Sequence, residues 1–181
     1  EEREIMRWLN RREFCTFRWL EPGYEGIYFE GSFNVEAVKF GSKILGFHLT
    51  LTTNRPFGLQ DTKTWEFTLP EGGTYKLYDD SDEIGYIYAD MTITCLQAGT
   101  LTIQNSMDNH IVQITNCSQG EVITFKHPIL TSSLVSHKIM DDFNYAFPKI
   151  INTYGNRTNI FTFSLPCKCT ISYNPIAKVG I

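Results

Sequence analysis

This chain lacks the local signatures that mark an enzyme or a nucleic-acid binder. No G-x-S-x-G elbow, no G-x-x-x-x-G-K-[ST] phosphate loop and no G-x-G-x-x-G fingerprint occurs in its 181 residues. Histidine is scarce. His48, His110, His127 and His137 never stand four apart, as paired zinc ligands on a helix do. Basic charge is not in excess: a formal net charge of −4 argues against a phosphate-backbone partner. No apolar run approaches the ~20 residues of a membrane helix. There is no signal-peptide pattern, internal repeat or low-complexity tract. The chain opens on Glu1 rather than Met, as a fragment or processed chain would. Two glycosylation sequons, at Asn116 and Asn156, are read as chance.

Cysteine is present but irregular. Cys15, Cys95, Cys117, Cys167 and Cys169 are odd in number and follow no framework spacing. Cys167 and Cys169 share a face if they lie on a strand, which is half of a zinc site. No second Cys or His pair accompanies them, so buried free thiols are expected.

What is present is β patterning. Residues Glu1–Phe14 form the one helix candidate, with Ile5, Met6 and Leu9 at helical spacing. Its leading acids and trailing Arg11 and Arg12 suit the helix dipole. From Tyr24 the period becomes two. Gly26–Val35 and Ala37–Phe40 read as strands, Gly41-Ser42 as a hairpin turn and Lys43–Thr52 as the return. Ile44, Phe47, Leu49 and Leu51 are the expected core positions there. The slip in alternation near Gly46 predicts a bulge. Residues 54–62 read as a linker.

Short strands then recur about every ten residues. They are expected at 64–69, 74–78, 87–94, 99–105, 110–115, 121–125 and 161–165. Such spacing marks a sandwich or barrel. Ile93, Cys95, Leu101, Ile103, Ile114, Val122, Phe125, Phe161 and Phe163 are the expected core. Ile139–Phe143 reads as a short helical turn and Phe147–Ile151 as an extended segment. Asn152–Ile181 has strand alternation and closes the domain.

Three clusters carry residue types with chemistry. Ser132-Ser133, His137 and Asp141-Asp142 are triad residue types, but triads assemble across a fold rather than along a chain. Asp79–Glu83 lacks the glycine and terminal glutamate of a calcium loop, and reads as a solvated turn. Tyr75, Tyr78, Tyr86 and Tyr88 are candidates for an exposed aromatic surface, and Tyr86 and Tyr88 share a face if Ile87 points inward. No cofactor or metal site is implied. Trp8, Arg11, Arg12 and Trp19 are the residue types of interface anchors.

Several segments resemble the distal tail protein family of siphophages. They are Arg3–Arg12, Ile27–Phe33, Gly46–Leu49, Arg55–Gly58, Gly99–Asn105, Asn116–Thr124, Asp142–Pro148 and Ser172–Gly180. They span almost the whole chain in one order. The resemblance implies a mainly β protein: a galectin-like antiparallel β-sandwich, preceded by a helix and β-hairpin from a truncated belt domain. It places the end of the belt at 1–58, the sandwich at 59–166 and a closing strand at 167–181 that returns to the belt. It implies a non-enzymatic virion hub, made in the bacterial cytoplasm or encoded by a prophage. Belt domains would form a hexameric ring linking the tail tube to baseplate or receptor-binding proteins. The galectin sugar-reading set is missing: Trp65 is the only tryptophan of the sandwich, and no H-x-N-x-R run exists. The competing reading is a carbohydrate-binding module that aids host attachment. No membrane or nucleic-acid partner is expected.

Overall fold

A computed structural model describes residues 2–179. Its elements begin with α1 (Glu2–Leu9), β1 (Cys15–Phe17), β2 (Ile27–Phe40), β3 (Lys43–Thr53), β4 (Gly58–Gln60) and β5 (Lys63–Leu69). Next come β6 (Gly73–Tyr78), β7 (Gly85–Tyr88), β8 (Asp90–Cys95), β9 (Gly99–Asn105), β10 (Ile111–Cys117) and β11 (Val122–Lys126). The last are β12 (Ile129–Ser132), β13 (Lys149–Asn152), β14 (Thr158–Phe163), β15 (Cys167–Tyr173) and β16 (Ile176–Ala177). The chain is mainly β and its strand pairs are antiparallel. It divides into two compact units, Glu1–Asp61 with Ile176–Ile181, and Thr62–Pro175.

The second unit is a sandwich. One sheet runs β10-β9-β14-β6 and the other β12-β11-β8-β15-β5, with β13-β7 as a separate pair. Alternation along each strand sends one face inward. Leu101 and Ile103 of β9, Phe161 and Phe163 of β14, Ile93 and Cys95 of β8, and Phe125 of β11 are all buried in one cluster. Burial of each large apolar side chain contributes about 1.5–3 kcal/mol. The expected core holds except at Val122. On β11 the inward positions are Ile123 and Phe125, so Val122 falls on the other face and is only half-buried.

Other expectations shift. Residues 87–94 are not one strand. The chain breaks at Ala89, whose N–H donates to the Pro148 carbonyl, and β7 and β8 pair in different sheets. Residues 139–143 form turns rather than helix. Cys167–Tyr173, expected at the head of a closing segment, lies between β5 and β8 and pairs with both. Only the residues from Ile176 rejoin the first unit. The acidic run is not a solvated turn throughout. Asp79 is buried and accepts hydrogen bonds from the Ser81 N–H, the Ser81 hydroxyl and the Tyr173 hydroxyl. Asp80 pairs with Lys63. Burial, then the nearby Asp79 and Asp80 carboxylates, push the Tyr173 hydroxyl pKa well up against the opposing Asp80 N–H.

The first unit is one sheet, β1-β2-β4-β16, with β3 on β2. The stretch read as a linker supplies β4, which pairs with β2 and β16. The two strands expected before the turn are one long strand, β2. The predicted bulge is present: Val38 pairs with Gly46 and Lys39 with Ile44, leaving Leu45 as the extra residue. Gly31 sits where three strands crowd. A Cβ there would lie 2.8 Å from Leu51 Cδ1 and 2.9 Å from Phe17 Cε1. The helix stops at Leu9, short of Phe14, because Arg11 turns back and its Nε–H donates to the Trp8 carbonyl at 3.0 Å.

Candidate assembly surface

The first unit buries little of its own apolar surface. Among the described residues its buried apolar side chains are Val35, Leu59 and Ala177. Ile44, Phe47 and Leu51 of the hairpin, expected in the core, are only half-buried, and Leu49 is exposed. At the hairpin tip Phe40 is 78% exposed and Leu45 70%. Leu20, beside the Glu21-Pro22-Gly23 turn, is 97% exposed.

Among the described residues, two of the hollows lie on this unit. One, of about 320 Å³, is lined by Trp8, Leu9, Arg11, Cys15, Thr16, Phe17, Gly31, Ser32 and Phe33. Trp8 stands on α1 and is 68% exposed. The other, of about 350 Å³, is walled by Phe17, Trp19, Tyr24, Phe29, Leu51, Thr53, Arg55, Pro56, Phe57 and Val179. Trp19 meets Phe17 edge to face at 5.7 Å, and Phe17 stacks on Phe29 at 5.6 Å. Arg18 is held by Asp61 at 2.5 Å, and Arg55 by Glu30 at 3.6 Å. Thus Trp8 and Arg11 share one hollow, Trp19 borders the other, and Phe17 serves both. Arg12 is exposed and lines neither. Sequence reasoning missed Leu20, Phe40 and Leu45. Their signal was apolar type beside a turn or bulge, where the alternation loses its inward face.

The other candidates lie in the second unit. His137 Nδ1 is 2.5 Å from Glu121 Oε1, and its Nε2 is 3.1 Å from Asp142 Oδ2. Ser132 donates to Glu121, not to the imidazole. With a carboxylate on each ring nitrogen, His137 has no site left to take a serine proton, so these residues do not form a nucleophilic triad. Tyr86 and Tyr88 do share a face, edge to face at 5.5 Å. Lys149 Nζ stands 4.6 Å from the Tyr86 ring centre. Tyr75 is instead stacked on Phe67 at 3.8 Å. Four of the five cysteines are buried free thiols and Cys15 is half-buried. Burial pushes the Cys167 thiol up to about 11. Among the described residues no group of three or more His, Cys, Asp or Glu side chains is placed to hold a metal ion, and no helix is long and apolar enough to cross a membrane.

Residues 57–173 match the family model of a phage tail C-terminal domain, and residues 1–55 that of a phage tail protein N-terminal domain. The chain belongs to this phage tail protein family. As a phage tail protein it is a structural component of the virion tail. Its fold is similar to the crystal structure of the Dit (gp 19.1) protein of phage SPP1, described as a paradigm of the hub adsorption apparatus in phages infecting Gram-positive hosts. That likeness has a TM-score of 0.68 at 10% identity, and covers 94% of this tail protein and 69% of the SPP1 chain. No curated protein sequence matches it significantly.

Proposed function

We propose that this tail protein is a hub at the tail tip, joining the tail tube to baseplate or receptor-binding proteins, with no enzymatic task. The first unit is its belt-type part and assembles with further copies into a hexameric ring. The second unit is a galectin-like sandwich that serves as a docking body. The observation that carries this reading is the apolar surface of the first unit. A unit of this size with so few buried side chains gains stability by covering its apolar surface in assembly. Trp8, Arg11, Arg12 and Trp19, with Phe40 and Leu45, are the anchors we assign to that contact. Light scattering on the protein is expected to give a mass near six chains, with rings in negative-stain images. A clean monomer at micromolar concentration would sink the reading.

A second reading, a glycan-contacting module, is favoured by one arrangement. Tyr86 is exposed beside Tyr88 and Lys149, a ring and a cation on one face. A glycan screen that loses its signal with Tyr86→Ala would support it, and a blank screen would remove it.

A further inference from the structure

The second unit holds a charged cluster that the assembly reading does not use. Glu121 is fully buried. It accepts hydrogen bonds from the Ser118 N–H at 2.8 Å and the Ser132 hydroxyl at 2.5 Å, and its Oε1 faces His137 Nδ1. Asp142 accepts from the Thr115 hydroxyl at 2.7 Å and the Asn116 amide at 2.8 Å, and its other oxygen faces His137 Nε2. The β10 register shifts between Ile114 and Cys117, and Asn116 has φ 57°. That irregularity brings Thr115 and Asn116 together on one carboxylate oxygen. The His137 side chain is only 6% exposed.

A neutral imidazole has one N–H and one lone pair. Either tautomer would point a lone pair at a carboxylate oxygen. Only the doubly protonated ring satisfies both sides.

We propose that His137 is held as an imidazolium clasp between Glu121 and Asp142, and that its charge fastens the strap of residues 133–147 onto the sandwich. The strap has no helix or strand of its own, yet it buries Ile139, Phe143 and Ala146. Phe143 forms an isolated bridge with Ile114. Asn144 accepts from the Gln113 N–H and donates to the Ile111 carbonyl. The clasp thus ties the strap to β10, to the turn before β11 and to β12 together.

The groups whose charge reaches the ring are Glu121, Cys117 and Asp142. Burial works against the charged ring, but the bond to Glu121 and the charges of Glu121, Cys117 and Asp142 outweigh it and raise the His137 pKa. Burial would also raise Glu121. The bonds from Ser132, Ser118 and His137 overcome this and hold it below its ordinary value. The signs follow by linkage. The His137 share of stability is complete below the ordinary histidine pKa and is lost as pH rises through the folded value. The Glu121 share is complete above the ordinary carboxylate pKa and is lost as pH falls through its depressed value. The strap is most secure between these limits.

The test combines nitrogen NMR of the histidine rings with hydrogen exchange on the whole protein. At neutral pH both His137 nitrogens are expected to carry the imidazolium shift. As pH rises from the ordinary histidine pKa toward the His137 midpoint, amides of 133–147 should lose up to about tenfold in protection per pH unit and then level off, after correction for intrinsic exchange. Amides of β9 and β14 should hold theirs. His137→Gln should lower the protection of the strap and remove its loss with rising pH. A single neutral tautomer at neutral pH, or a strap that keeps pace with the core strands throughout, overturns the proposal. Should His137→Gln fail to fold, the ring titration of the unaltered protein still decides.

Discussion

Phenylalanines are fully buried only in the sandwich; in the first unit they are half-buried or exposed. Phe125, Phe161 and Phe163 of the sandwich are buried, whereas Phe14 and Phe40 of the first unit are exposed. The local sequence patterns are alike, with apolar residues alternating along strands. What differs is the layer opposite. In the sandwich every inward face meets a second sheet and joins one core. In the first unit the distal half of the β2–β3 hairpin pairs only with itself. Alternation therefore states which residues share a face, and leaves open what will cover it.

Three variants sharpen or break this contrast. The largest effect is expected from Phe125→Ala, which opens a cavity in the sandwich core. Urea denaturation should show a loss of about 3–5 kcal/mol, and a loss under about 1 kcal/mol would deny that core its role. Next is Gly31→Ala, where the new methyl meets Leu51 and Phe17. Overpacking of this kind costs about 1–3 kcal/mol. Hydrogen exchange should loosen β1, β2 and β3 and leave the sandwich strands protected; equal loosening in both units would erase the distinction. The smallest effect on stability belongs to Phe40→Ser with Leu45→Ser, within about 0.5 kcal/mol. Their effect should instead be on mass in solution. If they cost as much stability as Phe125→Ala, the hairpin tip is core and the contrast collapses.

Much of the fold was legible. The hairpin turn at Gly41-Ser42 and the extra residue beside Gly46 followed from glycine and a slipped alternation. So did the sandwich core, apart from the phase of β11. The helix is shorter than its sequence suggests: Arg11 and Arg12 look like a dipole-matched helix end, whereas Arg11 caps the helix by reaching back to Trp8. The break at Ala89 was masked by the apolar run Tyr86–Ala89, which reads as continuous with Met91 and Ile93, and Asp90 alone marks it. β4 was hidden inside a Pro/Gly-rich stretch. Of the residues with anchor chemistry, Trp8 and Arg11 line one hollow, Trp19 the other, and Arg12 neither. His137 and Asp142 drew notice from sequence, but with Ser132 as their companion. Glu121, 16 residues before His137, becomes its partner only when β11 and the strap close on each other.

The strand pairing also bears on how such a protein can change over generations. Lys63 and Thr64 lie opposite Tyr173 and Ser172 on neighbouring strands, so the sandwich begins and finishes at one spot. Paired antiparallel residues stand only about 5 Å apart. A body with adjoining ends is a cassette: it can be lifted out between Asp61 and Ile176 and another spliced in, while β4 and β16 still find each other. The pairing of β4 with β16 is thus independent of how many residues the chain spends between them.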